Sequence, residues 1–148
     1  MPRVPRSVLG DGLFHVFTRG VFATDVFRSD DDRRLFLELL GRCERRHGWT
    51  CYAYSLMSTH YHLVLEARRE HLSRGLCVLN GTYARQFNRR HARFGHVFAD
   101  RFGARAIASE ELLFEACAYV VLNPVKARLC DRVEDWPWSF SAFGLAAT

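Results

Sequence analysis

Four side chains in this sequence have the types and spacing for joint chemistry: His60, His62, Tyr119 and Asn123. The stretch from Leu56 to Glu66 is rich in β-formers and contains no Gly or Pro, so it reads as a strand. Side chains two apart on a strand share a face, with Cα atoms about 6.5–7 Å apart, and two imidazoles so placed can grip one metal ion. Such a pair is more often merely exposed or hydrogen-bonded, so its weight comes from what lies downstream. Tyr119 and Asn123 are one helical turn apart and share a face. A helix laid across the histidine face would offer the Asn123 side-chain oxygen as a third ligand and stand Tyr119 beside the metal as a nucleophile. The phenol, with a pKa of about 10, makes a better leaving group than a sugar alkoxide. A phosphotyrosine linkage therefore keeps the energy of a phosphodiester and passes it on without ATP. The metal would polarise the scissile phosphate and stabilise the departing 3′-oxygen. Plainer readings stand beside these: Tyr119 as a core aromatic among Ala118, Val120 and Val121, and Asn123 as a helix end before Pro124.

These residues need a scaffold, and the pattern supplies one. Leu13 to Arg19 alternates and reads as a first strand closed by Gly20. Ser29-Asp30-Asp31-Asp32 starts a helix, with acids on the positive end of its dipole. Leu35, Phe36, Leu39, Leu40 and Cys43 recur at helical spacing before Gly48 ends it. Trp49 to Met57 and His60 to Ala67 read as two strands broken at Ser58-Thr59. A second helix carries Leu72, Leu76, Leu79, Tyr83 and Phe87 on one stripe. Gly95 to Ile107 reads as a fourth strand or a hairpin. Ser109-Glu110-Glu111 opens a third helix that should stop near Asn123, because Pro124 disfavours the α conformation in the residue before it. The aromatic tail around Trp136, Trp138 and Phe140 should pack back on the domain. The order β-α-β-β-α-β plus a helix is the split-βαβ, ferredoxin-like pattern of an α+β fold. His60, His62, Val64 and Glu66 share one face of their strand, with Glu66 at a solvated end. Tyr61, Leu63 and Leu65 are the better match for the helix-packed face.

The 148 residues suit a single domain, 1–148, with a basic lead-in over 1–11 and a tail over 130–148. A net charge of +5 and a pI near 9.2 point to a polyanionic partner. The basic residues are almost all arginine, Lys126 being the one lysine. Arginine grips phosphate with two donors, which suits nucleic acid, although genome composition also enriches arginine. Arg19, Arg85, Arg89, Arg90, Arg93, Arg101 and Arg105 are the candidates for DNA phosphate contacts, each of which could instead be a solvated or salt-bridged surface residue. Five cysteines without a CxxC pair fit free thiols in the cytoplasm. No apolar run is long enough to span a bilayer. His15 reads as structural or as a DNA contact, and His47, His71, His91 and His96 as surface residues.

The runs His15–Gly20, Tyr54–Leu63, Tyr83–Asn88, Gly95–Phe102 and Tyr119–Ala127, taken in order, resemble the single-tyrosine HUH transposases. Within them the chain is most similar to the REP-associated tyrosine transposases, over roughly residues 12–143. The resemblance implies His60 and His62 as the HUH metal ligands, Tyr119 as the nucleophile and Asn123 as a third ligand. It also implies a single-stranded or hairpin DNA substrate, a 5′-phosphotyrosine intermediate, Mg²⁺ or Mn²⁺, and a monomer or homodimer. Two positions depart from the family's usual pattern. Thr59 stands where Asn commonly precedes the first histidine, and Phe140 follows Trp138-Ser139 where Ser is usual. The first bears on the hydrogen bonding behind the histidines.

Three functions compete on these residues. One is metal-dependent nicking and strand transfer of single-stranded DNA by Tyr119. Another is a non-catalytic, domesticated binder of DNA or RNA hairpins, since fold alone does not decide activity. The last is a metallohydrolase using water at His60 and His62, which leaves the placement of Tyr119 unexplained.

Overall fold

The computed structural model describes residues 12–145, so the basic lead-in over 1–11 lies outside the described residues. Five strands form one antiparallel sheet: β1 Leu13–Arg19, β2 Thr50–Leu56, β3 His60–Glu66, β4 Gly103–Ala106 and β5 Ser139–Ser141. Their order is β4-β1-β3-β2-β5, which is the ferredoxin-like arrangement with one strand added beyond β2. Helices α1 Asp30–His47 and α2 Arg69–Arg90 cover one face, and α3 Glu110–Lys126 covers the other.

The helix boundaries follow from local chemistry. The Ser29 hydroxyl accepts from the Asp32 amide at 3.2 Å, and Gly48 closes α1 in the left-handed conformation at φ 69°. Ser109 caps α3 in the same way, accepting from the Leu112 amide at 3.1 Å. α3 does not stop at Asn123 as expected but runs on to Lys126, with Pro124 inside its last turn. Proline removes one amide donor, yet the following amides resume the pattern: Ala127 N–H reaches the Asn123 carbonyl and Leu129 N–H the Pro124 carbonyl, both at 2.9 Å. The Pro124 ring is buried.

The main core lies between the sheet and the pair α1–α2. Phe14 and Val16 of β1 and Tyr61, Leu63 and Leu65 of β3 meet Phe36, Leu40, Leu76, Leu79, Tyr83 and Phe87 there. A smaller core under α3 joins Leu13, Ala53 and Val64 to Ile107, Leu113, Cys117 and Val120. The fourth element is shorter than the sequence suggests. Only Gly103–Ala106 is strand, while Val97 and Phe98 pack into the main core and Phe98 makes one isolated bridge to Gly20. The tail does return to the domain, as β5 on the outer edge of β2.

The β2–β3 turn is clamped from both sides. Buried Arg33 donates from Nε to the Leu56 carbonyl at 3.3 Å and from Nη2 to the Met57 carbonyl at 3.2 Å. Its guanidinium lies over the Phe27 and Trp136 rings at 5.5 and 5.3 Å. Trp136 Nε1 also donates to the Leu56 carbonyl, at 3.2 Å, and the Leu56 amide bonds to the Trp138 carbonyl at 2.9 Å. The turn that launches His60 is thereby held by α1 and the tail together. Among the described residues, no helix is long and apolar enough to cross a membrane.

Candidate active site

Strand alternation puts His60 and His62 on one face of β3, and antiparallel pairing with β1 completes the floor. Arg19 sits opposite His60, and Phe17 opposite His62. On the far side of β1, Arg105 sits opposite His15 and Gly103 opposite Phe17. A Cβ at Gly103 would lie 2.2 Å from the Phe17 ring, so only glycine fits against that ring on β4. α3 crosses above with Leu112, Ala116, Tyr119 and Asn123 facing down. The open cavity between them is about 690 Å³ and is lined by His15, His60, His62, Tyr119 and Asn123 together with Arg19 and Arg105.

The rings converge closely. His60 and His62 lie 5.1 Å apart between centroids, edge to face. Tyr119 sits edge-on to both His62 and His15, at 6.0 and 5.7 Å. Half-exposed Tyr119 is not a core aromatic. Lys126 Nζ lies 5.0 Å from its ring centroid, two turns on along the same helix.

Hydrogen bonding selects which histidine nitrogens are free. His62 Nδ1 is 3.0 Å from His15 Nε2, and His60 Nδ1 is 3.1 Å from Thr59 Oγ1. With Nδ1 as the donor in each pair, both rings keep a lone pair at Nε2. His15 therefore backs His62, which gives the structural role expected of it a specific form. Thr59, the departure from the family's usual Asn, backs His60. All three imidazoles favour the neutral form. Burial lowers His15, with Arg105 adding to it, and burial with Arg19 lowers His60. Burial first, then His60, His15 and Arg19, pushes His62 down to about 3. Neutral imidazole is the state that binds metal, so this donor set fits a divalent cation. Among the described residues, no three His, Cys, Asp or Glu side chains are grouped to hold a metal. Asn123 lines the same cavity and donates from Nδ2 to the Tyr119 carbonyl at 2.9 Å, which leaves its Oδ1 uncommitted by that bond.

The seven arginines separate into three groups. Arg19 and Arg105 line the cavity, and Arg101 lines a neighbouring one with Arg19. Arg90 bonds to the buried Asp32 carboxylate at 2.9 Å, while Arg93 bonds to the Asn88 side chain and the His96 carbonyl at 2.9 and 2.8 Å. Arg85 and Arg89 are exposed on α2, the helix against the opposite face. Two readings outside the site change. His91 is not a free surface residue but lies 2.9 Å from Asp32 Oδ2. Glu66 is not merely solvated, because it accepts from the Tyr52 hydroxyl at 3.1 Å.

Comparison with known proteins places this arrangement in a wider group. The structure of a REP-associated tyrosine transposase bound to a REP hairpin is similar over 94% of this chain and 82% of its own, at 17% identity and a TM-score of 0.72. A protein from Deinococcus radiodurans R1, provisionally assigned as a transposase, is similar over 73% of this chain and 87% of its own, at 16% identity and a TM-score of 0.53. No curated protein sequence matches the chain. The family described as IS200-like transposase matches residues 13–121, nearly the whole sheet and most of α3. The chain belongs to the IS200-like transposase family.

Proposed function

We propose that this protein nicks and rejoins single-stranded DNA carrying a hairpin, through a 5′-phosphotyrosine on Tyr119, as a transposase of the REP-associated kind. One observation carries the reading: Tyr119 and the His60–His62 pair share a cavity whose rim holds Arg19 and Arg105. Arg19 and Arg105 neutralise the backbone phosphates at the cavity mouth. The Tyr119 oxygen attacks the phosphorus, the P–O3′ bond breaks, and the 3′-oxygen leaves to become a hydroxyl. The phenol proton passes to water as the new O–P bond forms. Rejoining reverses the step with a new 3′-hydroxyl. His60 and His62, with Asn123, would hold a divalent ion that supplies Lewis-acid polarisation of the phosphate. Two imidazoles beside an amide oxygen suit Mn²⁺ better than Mg²⁺. Hairpin recognition agrees with the REP hairpin held by the structurally similar protein. Five unpaired cysteines fit the cytoplasm.

The test is incubation with labelled hairpin DNA, with and without Mg²⁺ or Mn²⁺, followed by denaturing gels. A metal-dependent, SDS-resistant adduct that disappears in Tyr119→Phe is expected. An adduct that survives Tyr119→Phe sinks the nucleophile assignment. Tight binding with no cleavage identifies a domesticated hairpin binder instead.

A further inference from the structure

A second cavity, of about 410 Å³, opens beside the active site and shares Phe17 and Arg19 with it. Its outer wall is Phe22, which is 93% exposed. Phe22 and Ala23 both adopt left-handed backbone, at φ 52° and 54°, a conformation that costs energy in any residue with a Cβ. The turn is nevertheless fixed. The Val21 amide bonds to the Val97 carbonyl at 2.9 Å, and the Thr24 amide and hydroxyl both bond to the Val21 carbonyl, at 3.0 and 2.6 Å. Gly20 is obligatory at its start, because a Cβ there would stand 2.2 Å from the Thr24 carbonyl oxygen. A strained, well-bonded turn that holds a phenyl ring in water gains nothing for the core. It does present a flat apolar face beside two cations.

We infer that this cavity holds one unpaired nucleotide of the DNA strand, its base stacked on Phe22 and its phosphate between Arg19 and Arg101. The inference rests on the DNA-cutting reading above, since Arg19 borders both cavities and a strand leaving Tyr119 would pass over it. A stacking ring takes an unpaired base, because bases within a duplex already stack on their neighbours. Asp100 on the rim repels phosphate and can accept a hydrogen bond from an exocyclic base amine, which orients the base inward. Stacking tolerates any base, so the subsite reads strandedness before sequence.

The experiment measures binding without cleavage, in EDTA, using hairpins with and without single-stranded flanks and 2-aminopurine walked through each flank. With the unaltered protein the flanked hairpin binds more tightly, and fluorescence is quenched at one flank position. Phe22→Ala should weaken the flanked hairpin about tenfold, abolish the quenching and leave the bare hairpin unchanged. Phe22→Trp should restore both. The exposed ring makes either variant safe for folding, and an unchanged melting temperature checks this. Equal binding of the flanked hairpin by Phe22→Ala, or an equal loss on both DNAs, overturns the subsite. If the unaltered protein binds neither DNA, the subsite and the DNA-cutting reading fall together. If it forms the Tyr119 adduct while Phe22→Ala changes nothing, the subsite alone falls.

Discussion

The two faces of β3 do opposite work with alternate residues of one strand. Tyr61, Leu63 and Leu65 point into the main core, are fully buried, and meet aromatic and aliphatic side chains from α1 and α2. His60 and His62 point the other way, into a cavity roofed by half-exposed Tyr119. The core face gains stability from excluding water. The site face gives some of that up, leaving its imidazoles and arginines to line a cavity open to solvent. A one-residue slip of β3 would exchange the two sets completely, which is why the clamps on the β2–β3 turn matter to chemistry.

If the faces are separable, substitutions on each should leave the other's property intact. Tyr119→Phe is the largest expected effect. Adduct formation should drop on the order of 10⁴-fold or more, while the unfolding free energy shifts by less than about 0.5 kcal/mol because the side chain is partly in water. A large loss of stability in that variant would break the comparison. Leu63→Ala is the converse: a loss of about 2–5 kcal/mol in denaturant unfolding is expected, with adduct yield per folded molecule unchanged.

The faces should also differ in response to acid. His62 is held neutral when folded, near 3 against an ordinary 6.5, so the unfolded chain binds a proton that the folded chain refuses. Stability is then complete above pH 6.5 and is lost as the pH falls, by about 2 kcal/mol at pH 5 from this residue. Burial pushes the Tyr61 phenol on the core face upward, so it adds nothing in that range. Melting curves from pH 7 to pH 5 should therefore flatten in His62→Asn, and an unchanged slope would refute the assignment. The smallest effect is expected at Thr59→Ala, which removes the acceptor behind His60. Mn²⁺ affinity by titration calorimetry should fall about tenfold, with Thr59→Asn close to the unaltered protein.

Much of the site was legible because it depends on local periods. Alternation over 60–66 assigned the histidines to one face, and the one-turn spacing of Tyr119 and Asn123 assigned them to another. What escaped depends on pairings between distant segments. His15 reaches His62 across 47 residues only because β1 and β3 pair in a register that sets His15 diagonal to it. Nothing in the local sequence specifies that register, although His15, Phe17 and Arg19 already alternate onto one face. α3 runs past the stop that Pro124's backbone predicts, because burial of its ring outweighs one missing donor. The stretch after Gly95 resists local reading for a similar reason: its apolar residues pack into the core without joining the strand ladder.

Arg33 gives the unusual composition a second meaning. Its planar head spans two successive carbonyls and lies between two aromatic rings. A lysine ammonium is a point charge that cannot reproduce that fork or its stacking on the rings, so an exchange conservative in charge would weaken the clamp on the turn before His60. Drift between arginine and lysine, free over most protein surfaces, is closed at this position. Part of the chain's arginine content thus answers to architecture rather than to net charge.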